Sequence, residues 1–288
     1  MGTLHIVATP IGNLEDVTLR ALRVLREADR VFAEDTRRTR ILLDHFGIPQ
    51  RPEALHAHNE ASRVARVLEA LESGESVVLV SDAGTPLVSD PGARLVAAVA
   101  AEGHEIVAVP GPSALLAALT VSGLGTDRVL FLGFLPRKSG ARRRILEEQR
   151  GRPETLVLFE SPHRVAATLA EIAELLGDRP ACLARELTKR HETVWRDGAR
   201  ALAERLAENP VRGECTLVIA GASEDEAEAL AGWSDEEIDA AIRRELDRGT
   251  SVKDLASEVA LRAGRPRRAI YGRAVELRGQ RGDTRAGR

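Results

Sequence analysis

Short apolar runs alternate along this chain with segments whose apolar residues recur every three to four positions, the pattern of strands feeding helices. Leu4-His5-Ile6-Val7-Ala8 is such a run, and it stops at the turn-rich Thr9-Pro10-Ile11-Gly12-Asn13. Helical periodicity over 18–28, a strand at Val31-Phe32-Ala33 and a short helix over 39–46 follow. An amphipathic helix over 62–71 closes at Ser73-Gly74. Ser76-Val77-Val78-Leu79-Val80 is then apolar without interruption, as expected of a strand covered on both faces. A helix over 93–101, a strand over 105–109 and a small-residue helix over 113–120 complete a parallel α/β half.

Beyond Gly123-Leu124-Gly125 the strand-like runs lie at 129–132, 155–159, 181–184 and 215–219, with helices over 141–149, 165–176 and 199–208 between them. This half predicts a mixed sheet, and its junction with the first half predicts a cleft. An acidic linker over 223–228 leads to three amphipathic helices over 234–248, 252–263 and 266–277. Ser234 ahead of Asp235, Glu236 and Glu237 makes a capped, dipole-matched start. Ala263-Gly264-Arg265-Pro266 suits a helix-turn-helix corner. The expected fold class is therefore α/β with two α/β domains, 1–122 and 123–222. A helical, helix-turn-helix-like module over 232–278 and a disordered basic tail over 279–288 complete the expectation.

Ligands of open α/β sheets bind at the carboxyl ends of strands. There this chain places Ser81-Asp82-Ala83-Gly84-Thr85-Pro86 and Val109-Pro110-Gly111-Pro112-Ser113. Glycine permits close backbone approach and proline stiffens the turn. No Gly-x-x-x-x-Gly-Lys occurs and no Gly-x-Gly-x-x-Gly follows the first strand, so the parts of a triphosphate or dinucleotide cradle are missing.

Composition narrows the class. At 288 residues with 43% hydrophobic residues the chain can bury substantial cores, and a net charge of −3 argues against coating nucleic acid by overall basicity. Cys182 and Cys215 sit singly in apolar runs, without metal or redox spacing, and no metal set emerges. No apolar stretch approaches the roughly 20 residues of a membrane span, so a cytoplasmic location is expected.

Taken in order, Thr9 to Asn13, Asp82 to Pro86, Pro110-Gly111-Pro112-Ser113-Ala114 and Phe159-Glu160-Ser161-Pro162-His163-Arg164 resemble the tetrapyrrole methylase family, the class III S-adenosylmethionine-dependent methyltransferases. The resemblance covers roughly 3–222. It implies S-adenosylmethionine as cofactor and a homodimer. It places the cofactor against Pro10, Ala83, Gly84, Thr85, Val88, Ser113, Ala114, Glu160, Leu187 and Thr216. Ala33-Glu34-Asp35-Thr36-Arg37, Arg185-Glu186-Leu187-Thr188-Lys189 and Gly213-Glu214-Cys215-Thr216 are similar to a branch acting on ribosomal RNA. That likeness implies methyl transfer to the ribose 2′-hydroxyl of a cytidine in the decoding region of 16S ribosomal RNA, free or in the small subunit. Thr85 stands where corrin- and porphyrin-acting members usually have Asp, which disfavours a tetrapyrrole acceptor.

In-line alignment with an activated methyl is the main requirement of such a transfer, and a proton acceptor adds to it. Glu34, Asp35, Arg37 and Lys189 are the catalytic candidates, because they follow strands at the cleft rim. A helix cap and a surface charge run are their bland readings. His163, Arg164 and Arg185 are substrate-site candidates. For RNA phosphates the candidates are Arg142 and Arg143, with Arg137, Lys138 and Arg144 around them, and Arg267 and Arg268, with Arg262, Arg265 and Arg273 nearby. A tetrapyrrole C-methylase, a protein side-chain methylase and a non-catalytic assembly factor remain as alternatives.

Overall fold

A computed structural model describes residues 2–56, 59–223, 226, 233–263 and 266–286, with backbone only at 261, 262 and 280–286. The chain divides into two compact units, one of residues 1–147 and 154–221, the other of 148–153 and 222–288.

In the larger unit the first half contains β1 (Thr3–Val7), α1 (Leu19–Glu27), β2 (Arg30–Ala33), α2 (Thr36–His45) and β3 (Glu53–Ala54). It continues through α3 (Glu60–Glu72), β4 (Ser76–Val80), α4 (Ala93–Ala101), β5 (Glu105–Val109) and α5 (Ala114–Ser122). The strands form a five-stranded parallel sheet in the order β3-β2-β4-β1-β5. Leu4, Val77 and Leu79 pack on one face and Val7, Val78 and Val80 on the other, which is why β4 carries no polar position between its ends. The chain leaves β1 toward β2 across β4, and leaves β4 toward β5 across β1. Their loops diverge, and the crevice this opens is where such sheets take ligands.

The second half contains β6 (Val129–Phe134), α6 (Ser139–Glu147), β7 (Thr155–Glu160), α7 (Val165–Leu175), β8 (Pro180–Arg185), β9 (Thr193–Gly198), α8 (Ala199–Glu208) and β10 (Cys215–Ile219). Its sheet is mixed, in the order β6-β7-β10-β8-β9, with β6 and β7 parallel and the other pairs antiparallel. The two halves meet through a common apolar layer. Ala118 and Leu119 of α5, together with Ile11, pack against Val157, Cys182, Ala184 and Val218 of the second sheet, so a shared core joins the sheets in one unit.

In the smaller unit, α9 (Asp235–Asp247), α10 (Val252–Ala263) and α11 (Arg267–Ala286) enclose a core of Ile242, Leu255, Val259, Ile270 and Ala274. Ser234 and Glu237 form a reciprocal capping box at the start of α9. The tail expected to lack structure from 279 is instead helical to Ala286, continuing an Arg-rich helix that runs through Gly279 and Gly282 and meets no proline. Arg265 and Gly264 lie outside the described residues, as do the side chain of Arg262 and most of the 223–228 linker.

Candidate active site

The loops after β1, β2, β4 and β5, the end of β7 and the start of β10 open on one cavity of about 370 Å³, a size suited to a small-molecule cofactor. The loops after β1 and β4 are held together by two backbone hydrogen bonds, Thr9 N–H to Gly84 O and Gly84 N–H to Thr9 O, both 2.9 Å. Thr9 Oγ1 also donates to Ser81 O at 3.2 Å, and Thr85 Oγ1 to Pro112 O at 3.3 Å, tying in the loop after β5. Gly84 has φ +81°, a left-handed conformation in which a side chain is strained. Two non-glycine residues of the same loop, Leu87 at φ 73° and Ser89 at φ 69°, share that conformation, the kind of local strain that accumulates at functional sites.

Of the residues expected at the cofactor, Ala83, Gly84, Thr85, Val88, Ser113, Ala114, Glu160 and Thr216 line this cavity. Pro10 and Leu187 do not. Pro10 lies on a separate hollow beside Leu14 and Thr39, and Leu187 is buried in the core between the sheets. Ser113 is the N-cap of α5 without spending its side chain on the cap, so the first turn of that helix begins at the cavity wall. Glu160 is fully engaged: Ser161 N–H donates to Oε1 at 2.7 Å, and Thr168 Oγ1 and Arg164 donate to Oε2 at 2.8 and 3.1 Å. Glycines and backbone groups on one wall, the ring of Phe159 on another and carboxylates on a third make a donor set that fits a cationic adenosyl cofactor, with the exposed Phe134 outside that set, at the rim.

Besides Glu160 and Glu214, three carboxylates from the first sheet's loops line the cavity. Asp82 accepts from Asp35 N–H at 2.7 Å and pairs with Arg38 at 3.7 Å. Burial, and then the neighbouring charge of Asp82, raise the pKa of Glu34, outweighing Arg38. Asp90 is pushed up to about 6 by burial and by Glu34, with a hydrogen bond from Ser81 working against the shift. Asp90 carries no motif of its own, and sequence reasoning passed over it. The only hint is its place four residues after Pro86 in the same loop.

The other catalytic candidates take different roles. Asp35 caps α2 through Arg37 N–H at 2.9 Å. Its hydrogen bonds from Arg37 hold its carboxyl down at about 2, so it is a poor base. Arg37 itself is 88% exposed and does not line this cavity. Lys189 donates to Glu186 at 2.8 Å and to Glu214 at 3.1 Å. Burial opposes its charge, but these two partners outweigh burial and raise its pKa, so it stays protonated and braces the loop. Cys215 lines the cavity with its thiol pushed up to about 11 by burial, which removes it as a nucleophile.

Several cations expected at RNA are structural. Arg142, 8% exposed, is bidentate to Glu171 at 2.6 and 2.7 Å, and Arg143 is bidentate to Glu174. Arg185 spends its guanidinium on Thr193 and on the carbonyls of Arg212 and His191. Arg164 bridges the carbonyls of Leu135 and Pro136 to Glu160. Such forks satisfy one another and leave little charge for a phosphate. His163, Arg267 and Arg268 are exposed, while Arg273 is bidentate to Asp239. Arg142→Met is expected to lower unfolding free energy by about 3 kcal/mol, because Glu171 is left half-buried without its partner. Denaturant titration reads that loss, and RNA affinity of the folded variant is expected to stay at the wild-type value.

Among the described residues there is no cluster of three His, Cys, Asp or Glu side chains able to hold a metal ion, and no helix long and apolar enough to cross a membrane.

Residues 3–203 match the family model of the tetrapyrrole (corrin/porphyrin) methylases. The chain is 47% identical over 274 residues to the ribosomal RNA small subunit methyltransferase I of Xylella fastidiosa, covering 94% of this chain and 98% of that protein. To the protein of the same name from Mesorhizobium japonicum it is 46% identical, covering 97% and 94%. Among solved structures it superposes on cobalt precorrin-4 methyltransferase with a TM-score of 0.58 at 20% identity, covering 76% of this chain and 94% of that one. On a Thermus thermophilus uroporphyrin-III C-methyltransferase complexed with S-adenosylhomocysteine the TM-score is 0.55 at 22% identity, covering 76% and 97%.

Proposed function

The chain belongs to the tetrapyrrole methylase family, and from that we propose that it transfers the methyl group of S-adenosylmethionine to ribosomal RNA, at the ribose 2′-hydroxyl of a cytidine in the decoding region of 16S RNA. The observation that carries this reading is the near full-length likeness to relatives named for small-subunit ribosomal RNA, helical module included. Thr85 in place of the acidic residue of tetrapyrrole-acting members supports it, since the Thr85 hydroxyl is tied to Pro112 O and leaves no charge at that point of the wall.

The cofactor, when bound, supplies a methyl group on a sulfonium that needs no further activation. The loops after β1, β4 and β5 hold it by backbone groups, with the Thr9–Gly84 pairing fixing their spacing. What the chain must add is alignment of the ribose oxygen, worth several kcal/mol as effective molarity, and a place for its proton. Asp90 is the group we assign to that proton. A carboxylate whose pKa is drawn up to about 6 is ionised at neutral pH yet basic enough to accept, and Glu34 beside it keeps it so. Arg38, paired with Asp82, balances the charge of this wall.

The test is to map ribose methylation on 16S RNA from cells lacking the protein. One methyl is expected to be missing from a decoding-region cytidine, and purified protein with S-adenosylmethionine is expected to restore it on small subunits. A complete methylation map in those cells, with label entering a porphyrinoid in vitro, would overturn the reading.

A further inference from the structure

We propose that Phe134 is the stacking platform for an unpaired nucleobase of the RNA acceptor, presented at the cavity rim by a bulge in β6; this rests on the RNA reading above. Of the five phenylalanines it stands out as an exposed one, at 61%, while it also lines the cavity, so it stands at the rim. A core role does not account for that exposure.

The backbone is arranged to put the ring there. Along β6, Val129 and Phe131 pack toward the core shared by the two sheets, and Leu130 and Leu132 pack on the opposite face. Strict alternation would send residue 134 to the face of Leu130 and Leu132. Instead the pairing with β7 slips between Phe131 and Gly133: Phe131 pairs with Val157, Gly133 with Leu158 and Phe134 with Phe159. The extra residue returns Phe134 to the Phe131 face, the re-aiming that bulges perform, and Gly133 absorbs it at φ +61°. The outcome is an aromatic row, with ring centroids 5.0 Å apart for Phe131 and Phe159 and 5.6 Å for Phe134 and Phe159. Two rings of the row are backed by neighbours, and Phe134 is left with an open side.

What covers it is argued from what stands next to it. Arg137 and Lys138 follow within four residues, both exposed and without an ion pair among the described residues, unlike Arg142 and Arg143. An open aromatic beside free cations is the arrangement that grips single-stranded nucleic acid, the ring stacking on a base and the cations taking the flanking phosphates. A 2′-hydroxyl can reach a cavity only if its nucleotide is drawn out of a helix, and a stacking surface at the rim offsets the lost base stacking.

The experiment measures methylation of small subunits by wild-type protein and by Phe134→Ala, Phe134→Leu and Phe134→Trp, with calorimetric cofactor binding and thermal melting on each. Phe134→Ala is expected to raise KM for the RNA substrate by about 10- to 100-fold with cofactor affinity and melting unchanged. Phe134→Trp is expected to restore KM, and Phe134→Leu is not. The double substitution Arg137→Gln, Lys138→Gln is expected to shallow the slope of log affinity against log salt by about 1.4. A response within twofold for Phe134→Ala, full rescue by leucine, or loss of cofactor binding in Phe134→Ala would each overturn the stacking role. If wild-type protein methylates no 16S RNA, the function proposed above fails first. If it does and Phe134→Ala matches it, only the present inference fails.

Discussion

Gly84→Val protein gives no calorimetric heat with S-adenosylmethionine, an expected loss of at least about 10³-fold in affinity, while it still unfolds in a single cooperative transition. Two effects combine at this position. Gly84 sits at φ +81°, where an L side chain costs about 1–2 kcal/mol and a β-branched one more. A Cβ built on it would also lie 3.2 Å from Ile11 Cγ2 and 3.6 Å from Pro112 O, between two of the loops that form the cavity wall. Valine's methyl groups extend from that crowded point. The loop must then turn to relieve both, and turning it breaks the reciprocal Thr9–Gly84 hydrogen bonds that set the spacing of the donor loops. The β1 and β4 strands beneath are buried on both faces and hold the fold, so the cost falls on the site. Wild-type affinity in this variant would mean that the cofactor is held elsewhere.

The sequence made the donor side legible because that side is built from backbone. Gly84, the Thr9–Asn13 turn and the Pro110–Ser113 turn announce themselves as glycine and proline at strand ends, and β1, β4, β5 and β10 announce themselves as short, mostly apolar runs. β9 (Thr193–Gly198) escaped notice because it is an edge strand with Arg196 and Asp197 in its middle, so no apolar run marks it. The fates of the arginines were hidden for a different reason. Arg142 meets a carboxylate 29 residues away, and Arg185 meets carbonyl oxygens, which a sequence does not display. Cationic residue types therefore looked available for phosphate when the fold had already engaged them. Asp90 was hidden because its character comes from surroundings, namely burial and two acidic neighbours brought in from β2 and the start of the same loop. Phe134 was hidden because period-two alternation assigns it to the wrong face unless the slip at Gly133 is known.

Asp90→Asn is expected to lower kcat by about 10²- to 10³-fold, within the range that a lost proton acceptor costs, and to leave the cofactor bound. The pH dependence gives the sharper signature. In the wild type the carboxyl must be ionised to accept a proton, so kcat/KM rises with pH through about 6 and then levels, whereas the residual rate of the variant has no such limb. Glu34→Gln removes a neighbouring negative charge that raises the Asp90 pKa, so in that variant the limb moves to lower pH. Stability moves the other way from activity. The folded carboxyl titrates near 6 against an ordinary 3.8, so between those values the folded state holds the proton more tightly than the unfolded chain. The stability this confers is fully present below about pH 4 and is lost as pH rises through 6. The two-unit difference corresponds to up to about 3 kcal/mol at 1.36 kcal/mol per unit, before the partial exposure of the group reduces it. Asparagine abolishes that loss, so Asp90→Asn protein is expected to be the more stable of the two at pH 8, and the gap is expected to close as denaturant titrations are taken down to pH 4. A variant that is less active and equally pH-dependent, or less stable at pH 8, would show that Asp90 is a hydrogen-bonded structural residue and that the ribose proton leaves by another route.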